Sequence, residues 1–360
     1  MKKHRAQSQW SGVEVVEGEF VEEVGTAPLT VYVSGENLPE GAERALVPVR
    51  EPTIEDVLEA FRGWMRLDVA DGNPSPETVR SYFSDVKQHL VWLAGLGVRP
   101  AEAGTEELKR YRAWLVERYA VSTVGRKLAS VRRFYEMAHA RGAMGHNPAV
   151  GLRSPRDRTE RDERVKFLTL ETVQRVLRAP NARKPKGIRD RAMLVLMALH
   201  GLRVVEVSRL DLEDLDLEAG EAGELRVLGK GDKWRTILLT EETREVLRMW
   251  LAARALMRPE TPAVFLTMHW SQGKEAGRIG TRGIRQVVDG YLRAVGAKRK
   301  GVSCHSLRHS YATLALAAGG SLLAISGSLG HSSVTTTQVY AKIVDKARHN
   351  PAKLLVGLLE

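Results

Sequence analysis

The stretch that decides the fold is residues 304–342, CHSLRHSYATLALAAGGSLLAISGSLGHSSVTTTQVYAK. Its apolar pattern predicts a helix over residues 310–318 that ends at Gly319-Gly320, because glycine accepts positive φ at little cost. Ser321 is a suitable N-cap for a second short helix over residues 322–329. These two turns of chain would fold the beginning of the stretch back toward its end.

The fold-back would bring His305 and Arg308 toward His331 and Tyr340. Such a group suits a phosphodiester, because Arg and His offer hydrogen bonds to phosphate oxygens and Tyr can act as a nucleophile. Taken singly, each residue has an ordinary explanation, since a Tyr near a C-terminus is usually a packing residue and a helical His is usually structural. The combination is what indicates chemistry.

Length and net charge limit the functions that this group of residues can have. The 360 residues correspond to about two domains of ordinary size. Lys and Arg number 55 against 44 Asp and Glu, which gives a formal net charge of +11. This surplus favours a polyanionic partner such as nucleic acid, although a basic balance alone is a weak signal.

Cysteine content and hydropathy indicate the compartment. Cys304 is the sole cysteine, which excludes an internal disulfide and a Cys-clustered zinc site and fits a reducing interior. No apolar run approaches the roughly 18 residues that a membrane span needs. Residues 1–5 lead into polar sequence without an apolar segment. We therefore expect a cytoplasmic protein with neither a membrane span nor a signal peptide.

Residues 1–50 are predicted to form a flexible N-terminal arm. Residues 13–24 mix valines with glutamates, so this part of a basic protein is locally acidic. The alternation is too short to build a core, and its acidity argues against gripping DNA. The alternative is that the arm contacts a neighbouring subunit.

Residues 51–150 are predicted to form a four-helix bundle. Thr53 begins the first helix as a capping box, and Ser75 followed by Pro76 begins the second. A third helix ends near Tyr119, and a fourth starts at Ser122 or Thr123. Apolar residues at helical spacing mark the inner face of each helix.

The fourth helix carries the candidate DNA-binding residues. Its basic side chains fall on the face left over once the apolar stripe turns inward, and two hydroxyl residues lie at its N-terminus, where free amides favour a phosphate. The alternative is a solvated basic face, which is common. The candidates are Ser122, Thr123, Arg126, Lys127, Arg132 and Arg133.

Residues 151–165 are predicted to be a basic linker. The sequence GLRSPRDRTERD of residues 151–162 is charged and lacks apolar periodicity. Its arginines could run along a phosphate backbone. Two domains joined in this way could act as a clamp that closes around a duplex.

The second domain, residues 166–342, contains an apolar helix that supports a candidate phosphate ligand. Residues 188–199 are too apolar for a surface helix, and they end in His200-Gly201-Leu202-Arg203. The glycine permits a sharp turn, so a rigid core helix delivers Arg203. The alternative is an ordinary surface pair of Arg203 with Glu206, worth about 0.3 to 0.5 kcal/mol.

A hairpin follows. Strands predicted over residues 225–228 and 234–239 flank the sequence GKGDK, which places Lys230 and Lys233 at a mobile tip. A lysine at such a tip is usually solvated, but it can also reach into a site and donate a proton. The loop lacks the spacing of a phosphate-binding P-loop. The predicted fold class is mainly α with a small antiparallel β-sheet.

Four segments together resemble the signature segments of tyrosine recombinases, the phage integrase and Xer family. They are HGLRVVEVSRL, LGKGDKWR, HSLRHSYAT and LGHSSVTTTQVY, in this order. The resemblance covers residues 53–340 and implies a helical, SAM-like core-binding domain followed by a catalytic domain of the DNA breaking-rejoining type. Four separated motifs in order are a strong match, whereas any one alone would be weak.

The resemblance implies a role for each matched residue. Tyr340 would attack a DNA phosphodiester to give a 3′-phosphotyrosine and a free 5′-hydroxyl, so that neither ATP nor a metal ion or other cofactor is needed. Arg203 and Arg308 would clamp the non-bridging oxygens. Lys230 would protonate the leaving 5′-oxygen, with Lys233 as the second candidate for that role.

The remaining matched residues complete the implied site. His305 would be the general base or proton-balancing partner of the tyrosine, and His331 the second histidine that hydrogen-bonds the phosphate. Glu206 would orient the site around Arg203. His309 and Tyr311 are interpreted as structural.

The implied activity is site-specific recombination. Protomers that are monomeric when free would assemble as a homo-tetramer on two double-stranded DNA sites and exchange strands through a Holliday junction, with the tail, residues 343–360, docking on its own domain or on a neighbouring protomer. One alternative is a type IB topoisomerase-like enzyme that relaxes DNA by the same cleavage chemistry. The other is a catalytically silent DNA-binding architectural protein.

Overall fold

A computed structural model describes residues 52–69, 74–229, 231–268, 276–331 and 333–348, together with four two-residue strands that precede them. Strand β1 (Glu14–Val15) pairs antiparallel with β3 (Val33–Ser34), and β2 (Thr30–Val31) pairs antiparallel with β4 (Val47–Pro48). The rest of the predicted arm lies outside the described residues. The chain divides into an N-terminal unit, Met1–Arg158, and a C-terminal unit, Thr159–Glu360.

Four helices are found in the described residues of the N-terminal unit. They are α1 (Ile54–Asp68), α2 (Pro76–Ala94), α3 (Thr105–Arg118) and α4 (Val121–Ala140). Helix α1 begins as predicted, because Thr53 and Asp56 form a capping box, and the Ser75 side chain caps α2. Their apolar faces meet in one core, whose largest fully buried side chains are Phe61, Tyr111 and Tyr135.

The start of α4 differs from the prediction. Ala120 is the N-cap, and its carbonyl accepts from the backbone N–H groups of Thr123 and Val124 at 2.8 and 3.0 Å. Ser122 and Thr123 therefore lie inside the first turn, and neither caps the helix with its side chain. The backbone alone closes this turn, which composition does not reveal.

In its described residues, the C-terminal unit is helical with one small sheet. Its helices are α5 (Arg161–Arg164), α6 (Leu170–Arg178), α7 (Pro185–Leu199), α8 (Val204–Arg209), α9 (Glu241–Ala255), α10 (Thr281–Ala294), α11 (Cys304–Ala317), α12 (Leu322–Leu329) and α13 (Thr335–Arg348). After a 3₁₀ turn at Leu212–Asp214, strands β5 (Leu215–Asp216), β6 (Glu224–Leu228) and β7 (Trp234–Leu238) form an antiparallel sheet in that order. The predicted fold class, mainly α with a small antiparallel sheet, is confirmed. Strand β5 was not predicted.

Helix α7 is the centre of this unit. It packs against α6, α9 and α11, and most of its residues are buried. Trp250 of α9 is fully buried in the same core, and its indole N–H donates to the Val264 carbonyl at 2.8 Å. Because α7 is largely buried, it serves as a rigid support for the residues that follow it.

No helix in the described part of the chain has the length and apolar character needed to span a bilayer.

Helix α11 begins six residues earlier than the predicted start at residue 310. Ser303 is its N-cap and exchanges backbone and side-chain hydrogen bonds with Ser306, which starts the helix at Cys304. His305, Arg308 and His309 consequently lie on its first two turns. The end at Gly319 and the Ser321 cap of α12 match the prediction.

Helix α13 carries Tyr340 and runs through Arg348, past the predicted domain boundary at Lys342. Two lysines on its outer side anchor it within the C-terminal unit. Lys346 pairs with Asp162 at 2.5 Å and with Glu160 at 3.3 Å, and Lys342 also pairs with Glu160 at 3.3 Å. The rest of the predicted tail, residues 349–360, lies outside the described residues.

Candidate active site

A glycine turn delivers the first guanidinium. Gly201 follows α7 with φ of +66°, and a Cβ there would lie 2.6 Å from a ring carbon of Tyr311 and 2.8 Å from a methyl of Leu329. Both the left-handed backbone and the lack of space require glycine. The chain then turns directly into α8, whose N-cap is Arg203.

The two predicted arginines meet at one carbonyl oxygen. Arg308 donates to the carbonyls of Gly201 and Leu329, both at 2.6 Å, and Arg203 donates to the same Leu329 oxygen at 3.2 Å. Burial, together with the positive charge of Arg203, lowers the pKa of Arg308 to about 10, so the guanidinium stays charged at neutral pH. The arrangement concentrates two fixed positive charges, which is what a phosphate clamp requires.

The carboxylate of Glu206 pairs with Arg203, one of the two arginines of the phosphate clamp. It is only 2% exposed, and it accepts from the backbone N–H of Arg203 at 2.7 Å and from Nη1 of Arg203 at 2.8 Å. Burial alone would raise the pKa of Glu206, but hydrogen bonds and charge from Arg235 and Arg203 outweigh it and lower that pKa. The pair is therefore not the exposed surface pair that was the alternative explanation.

Arg235 is a residue of the site that sequence reasoning missed. From β7 it donates to both Glu206 oxygens, at 3.1 and 3.0 Å, and its Nε donates to the Ser328 carbonyl at 2.9 Å. A Cβ at Gly330 would lie 3.0 Å from Nη1 of Arg235, so glycine leaves room for the guanidinium. Arg235 thus ties the hairpin to the clamp and to the end of α12. The only sequence signal was its position at the end of the motif LGKGDKWR.

Replacing Arg235 by methionine is expected to destabilise the C-terminal unit by about 1.5 to 3 kcal/mol, because the buried Glu206 loses a bidentate partner. Chemical denaturation measures the difference. Arg226→Met on the neighbouring strand is the matched control, because Arg226 is exposed and stacks over Trp234. Equal stability of the two variants would contradict the structural role of Arg235.

His331 faces the clamp as a neutral ring. Its Nε2 lies 3.1 Å from Nη2 of Arg308, and its Nδ1 lies 2.8 Å from the Thr337 hydroxyl. Burial, followed by the charges of Arg308, Arg203 and Arg235, lowers the pKa of His331 to about 4. Because Arg308 can only donate, Nε2 accepts, and the ring proton lies on Nδ1 facing Thr337.

Tyr340 lies beside this group and is 4% exposed. It belongs to a small buried cluster with Ala312, Ile325 and Leu329, and its hydroxyl lies 2.8 Å from Nδ1 of His309. His309, interpreted from the sequence as structural, therefore contacts the hydroxyl of the candidate nucleophile. The sequence did not show where this helix begins. It therefore gave no indication that the residue after Arg308 would contact Tyr340.

His305 is exposed near the start of α11. Partial burial of the ring, followed by the charges of Arg308, Arg285 and Arg203, lowers the pKa of His305. Within the described part of the chain, the hydrogen-bond partner of the Tyr340 hydroxyl is His309 and not His305.

The hairpin loop holds the lysine candidates. Lys230 lies outside the described residues, and Lys233 is exposed. The loop is closed where the backbone N–H of Gly229 donates to the Lys233 carbonyl at 2.8 Å. In the described residues there is also no group of three or more His, Cys, Asp or Glu side chains arranged to hold a metal ion.

The basic residues of α4 divide into two kinds. Lys127 does not belong to an outward face, because it is only 8% exposed and donates to Asp85 at 3.1 Å and to Gln88 at 2.7 Å. The buried carboxylate of Asp85 explains this inward turn, since it needs positive partners. Arg126 also donates to Asp85, and to the Ser81 hydroxyl at 2.7 Å, yet remains partly exposed.

The other four candidates of α4 lie nearer the surface. Ser122 is exposed and Thr123 is half-buried. Arg132 donates to the Leu152 carbonyl at 2.8 Å, and the exposed Arg133 pairs with Glu136 at 2.8 Å. The outward basic face is thus narrower than the sequence predicted.

Sequence comparisons relate the chain to proteins of known type. Residues 166–347 match the phage integrase family, and residues 69–142 match its N-terminal SAM-like domain. The tyrosine recombinase XerC of Pelobacter propionicus (strain DSM 2379 / NBRC 103807 / OttBd1) is 33% identical over 300 residues, which cover 81% of this chain and 92% of the relative. XerC of Pelotomaculum thermopropionicum (strain DSM 13744 / JCM 10971 / SI) is 32% identical over 295 residues, or 79% and 93% of the two chains.

Solved structures share the fold. The XerH site-specific recombinase bound to palindromic difH substrate, in a post-cleavage complex, matches with a TM-score of 0.67 at 16% identity over 85% of this chain and 98% of that one. A lambda integrase(75–356) dimer bound to a COC′ core site gives 0.59 at 16% identity over 78% and 96%. A lambda integrase tetramer bound to a Holliday junction gives 0.59 at 16% identity over 80% and 77%.

Proposed function

The chain belongs to the phage integrase family of tyrosine recombinases, and from this premise we propose that it cleaves and rejoins DNA through a 3′-phosphotyrosine at Tyr340. One observation carries the proposal. Arg203 and Arg308 converge on the Leu329 carbonyl, and Nε2 of His331 lies 3.1 Å from Nη2 of Arg308. Tyr340 belongs to the same small buried cluster as the Leu329 side chain, and it is near enough to both arginines for their charges to lower its pKa against the effect of burial. A nucleophile and a cluster of fixed phosphate donors therefore share one small volume.

Arg203 and Arg308, the phosphate clamp, would exchange backbone carbonyl acceptors for phosphate oxygens when DNA binds. The two guanidiniums donate to backbone carbonyls, so the protein itself holds their charge in place. The non-bridging oxygens of a scissile phosphate would take over the donors of Arg203 and Arg308. Donors that need no reorganisation stabilise the pentacoordinate transition state by about 3 to 4 kcal/mol each.

His331 is proposed to hydrogen-bond the same phosphate. In the DNA-free protein its Nε2 accepts from Arg308, so a phosphate contact requires the ring proton to move to Nε2. Thr337 permits this change, because a hydroxyl can donate to Nδ1 as readily as it accepts from it. The histidine can then donate to the phosphate without turning.

Three further residues are proposed to complete the reaction. Lys230 would protonate the leaving 5′-oxygen, and His305 would serve as the general base or proton-balancing partner of the tyrosine. Glu206 would hold Arg203 in its donating orientation, a role that its bonds to Arg203 support. The ester bond to Tyr340 conserves the free energy of the broken phosphodiester, so rejoining needs no ATP.

Double-stranded DNA is the proposed partner, bound by both units and by the basic linker between them. The net charge of +11 supports this, as does Arg133 with the exposed part of Arg126 on α4. We propose that the protein is a monomer when free and a tetramer on two DNA sites, where strand exchange passes through a Holliday junction.

A trapped intermediate tests the proposal. A binding site is first selected from randomised duplexes. A half-site from it is then nicked beside the scissile phosphate, so that cleavage releases a short fragment. Without that fragment the strand cannot be rejoined, and the covalent product accumulates. A recombinase forms this adduct and yields a Holliday junction from two full sites. Plasmid relaxation without a junction would favour a topoisomerase-like enzyme, and binding without an adduct would favour an architectural protein.

Replacing Arg132 and Arg133 together by glutamine is expected to weaken DNA binding and to flatten its salt dependence, because fewer counterions are released. Each lost phosphate contact should reduce the slope of log K against log salt by about 0.9. The control, Lys109→Gln with Arg110→Gln, removes the same charge from exposed positions on α3. Equal slopes for the two double variants would contradict a phosphate contact by Arg132 and Arg133.

A further inference from the structure

The hydroxyl of the proposed nucleophile is hydrogen-bonded to a histidine to which the recombinase resemblance gives no catalytic role. Tyr340 Oη lies 2.8 Å from His309 Nδ1, and the two rings tilt at 45° with centroids 5.7 Å apart. We propose, on the basis of the function proposed above, that His309 accepts the Tyr340 proton during cleavage and returns it during rejoining. Of the two roles given to His305 above, it then keeps the proton-balancing one, and His309 takes that of the base.

The protonation states of both rings fit a transfer in this direction. Burial raises the pKa of Tyr340, and the charges of Arg308 and Arg203 only partly offset it, so the phenol keeps its proton in the DNA-free protein. Burial, together with His305 and Arg308, lowers the pKa of His309 to about 4, so its ring is neutral at neutral pH. A neutral imidazole has one nitrogen lone pair, which at Nδ1 accepts from the phenol.

The position of His309 on α11 sets it apart from His305. The two histidines are four residues apart and share one helix face, but His305 is exposed near the start of the helix and His309 is half-buried. Helix α13 packs against α11 and brings Tyr340 to the more buried of the two. A base must lie within hydrogen-bond reach of the proton it removes, and His309 meets that requirement.

DNA binding would strengthen His309 as a base. Arg308 is one of the charges that lower the pKa of His309, and a phosphate in the clamp would neutralise it. As the Tyr340 Oη–P bond forms, the phenolic proton passes to Nδ1, the P–O5′ bond breaks, and the 5′-oxygen takes a proton from the acid proposed as Lys230. The proton that His309 gains is the one that Tyr340 loses, and the acid gives its proton to the 5′-oxygen, so the protein ends with one proton fewer and the DNA with one more. Rejoining reverses each transfer.

His309→Asn tests this assignment, because the asparagine side chain keeps a polar atom near the position of Nδ1 but cannot take up a proton. We expect adduct formation on the nicked half-site to slow by about 100-fold or more, with DNA affinity unchanged. Incorporating a fluorinated tyrosine at position 340, whose phenol is more acidic, should restore the rate of His309→Asn by about tenfold or more, because less base strength is then needed. His305→Asn is the matched control, and the fluorinated tyrosine should not relieve its loss.

Two results would overturn the proposal. The first is adduct formation by His309→Asn within about threefold of the unmodified protein. The second is a loss that the fluorinated tyrosine leaves unchanged, which would mean that His309 only supports the packing of α11 on α13. If His309→Asn melts early or loses DNA affinity, His309→Gln is measured by the same two criteria. Absence of an adduct from the unmodified protein would instead refute the function proposed for the whole site.

Discussion

Tyr340→Phe is expected to abolish the covalent adduct, with a loss of more than about 10⁴-fold in cleavage rate, because the substitution removes the only atom proposed to attack phosphorus. The fold should survive. The phenyl ring keeps its place in the buried cluster with Ala312, Ile325 and Leu329, and the variant loses one hydrogen bond to His309, worth about 1 kcal/mol. DNA affinity should therefore stay close to that of the unmodified protein.

The measurement is the fraction of labelled half-site that migrates with the protein on a denaturing gel. Tyr311→Phe is the matched control, because Tyr311 lies on α11 and its ring borders Gly201. That variant should form the adduct at a rate within about threefold of the unmodified protein, since it loses only a hydroxyl outside the proposed chemistry. An adduct formed by Tyr340→Phe would mean that another residue is the nucleophile and would remove the basis of the proposed mechanism.

The parts of the fold that follow from local chemistry were predictable from the sequence. The Thr53 and Ser75 caps, the Ser321 cap and the glycine end of α11 depend on residues within a few positions of one another. The family resemblance, which rested on four motifs in order, is confirmed. Local signals and ordered motifs together were enough for the fold class.

The features that were missed depend on partners distant in sequence. Lys127 turns inward because Asp85, on another helix, is buried and needs positive charge. Arg235 joins the site because Glu206 is buried 29 positions earlier, and a basic residue in a strand has no pattern that signals this. His309 contacts Tyr340 only because α11 begins at Cys304 and α13 packs against it. Propensity and periodicity carry no information on such pairs.

The contacts of the three arginines also connect separate elements of the site. Arg308, Arg203 and Arg235 each bond a carbonyl of the segment 328–329 or of Gly201, so the end of α12, the turn after α7 and the hairpin strand are held together. A clamp assembled in this way costs little to organise on the substrate. It also means that a change at any one arginine affects both folding and chemistry, so the two must be measured separately.

Arg308→Lys is therefore expected to have two effects. Adduct formation should fall by about 10² to 10³-fold, because a single ammonium cannot replace two N–H donors directed at phosphate oxygens. Stability should fall by about 1 to 3 kcal/mol, because one of the buried carbonyls of Gly201 and Leu329 loses its donor. Cleavage per folded molecule, obtained from the rate and a denaturation curve, separates the two effects.

Arg189→Lys is the control that makes this separation decisive. Arg189 is as buried as Arg308 in the same unit, where it pairs with Asp190 and donates to the Leu266 carbonyl at 2.6 Å, and neither partner has a role in the proposed chemistry. Its loss should lower stability to a similar degree while cleavage per folded molecule stays within about threefold. If Arg308→Lys behaves in the same way, Arg308 only supports the fold, and the phosphate clamp would have to be reassigned.

A second test is Arg308→Ala with added methylguanidine, because a free guanidinium that restores cleavage can do so only from the cavity which the side chain has left.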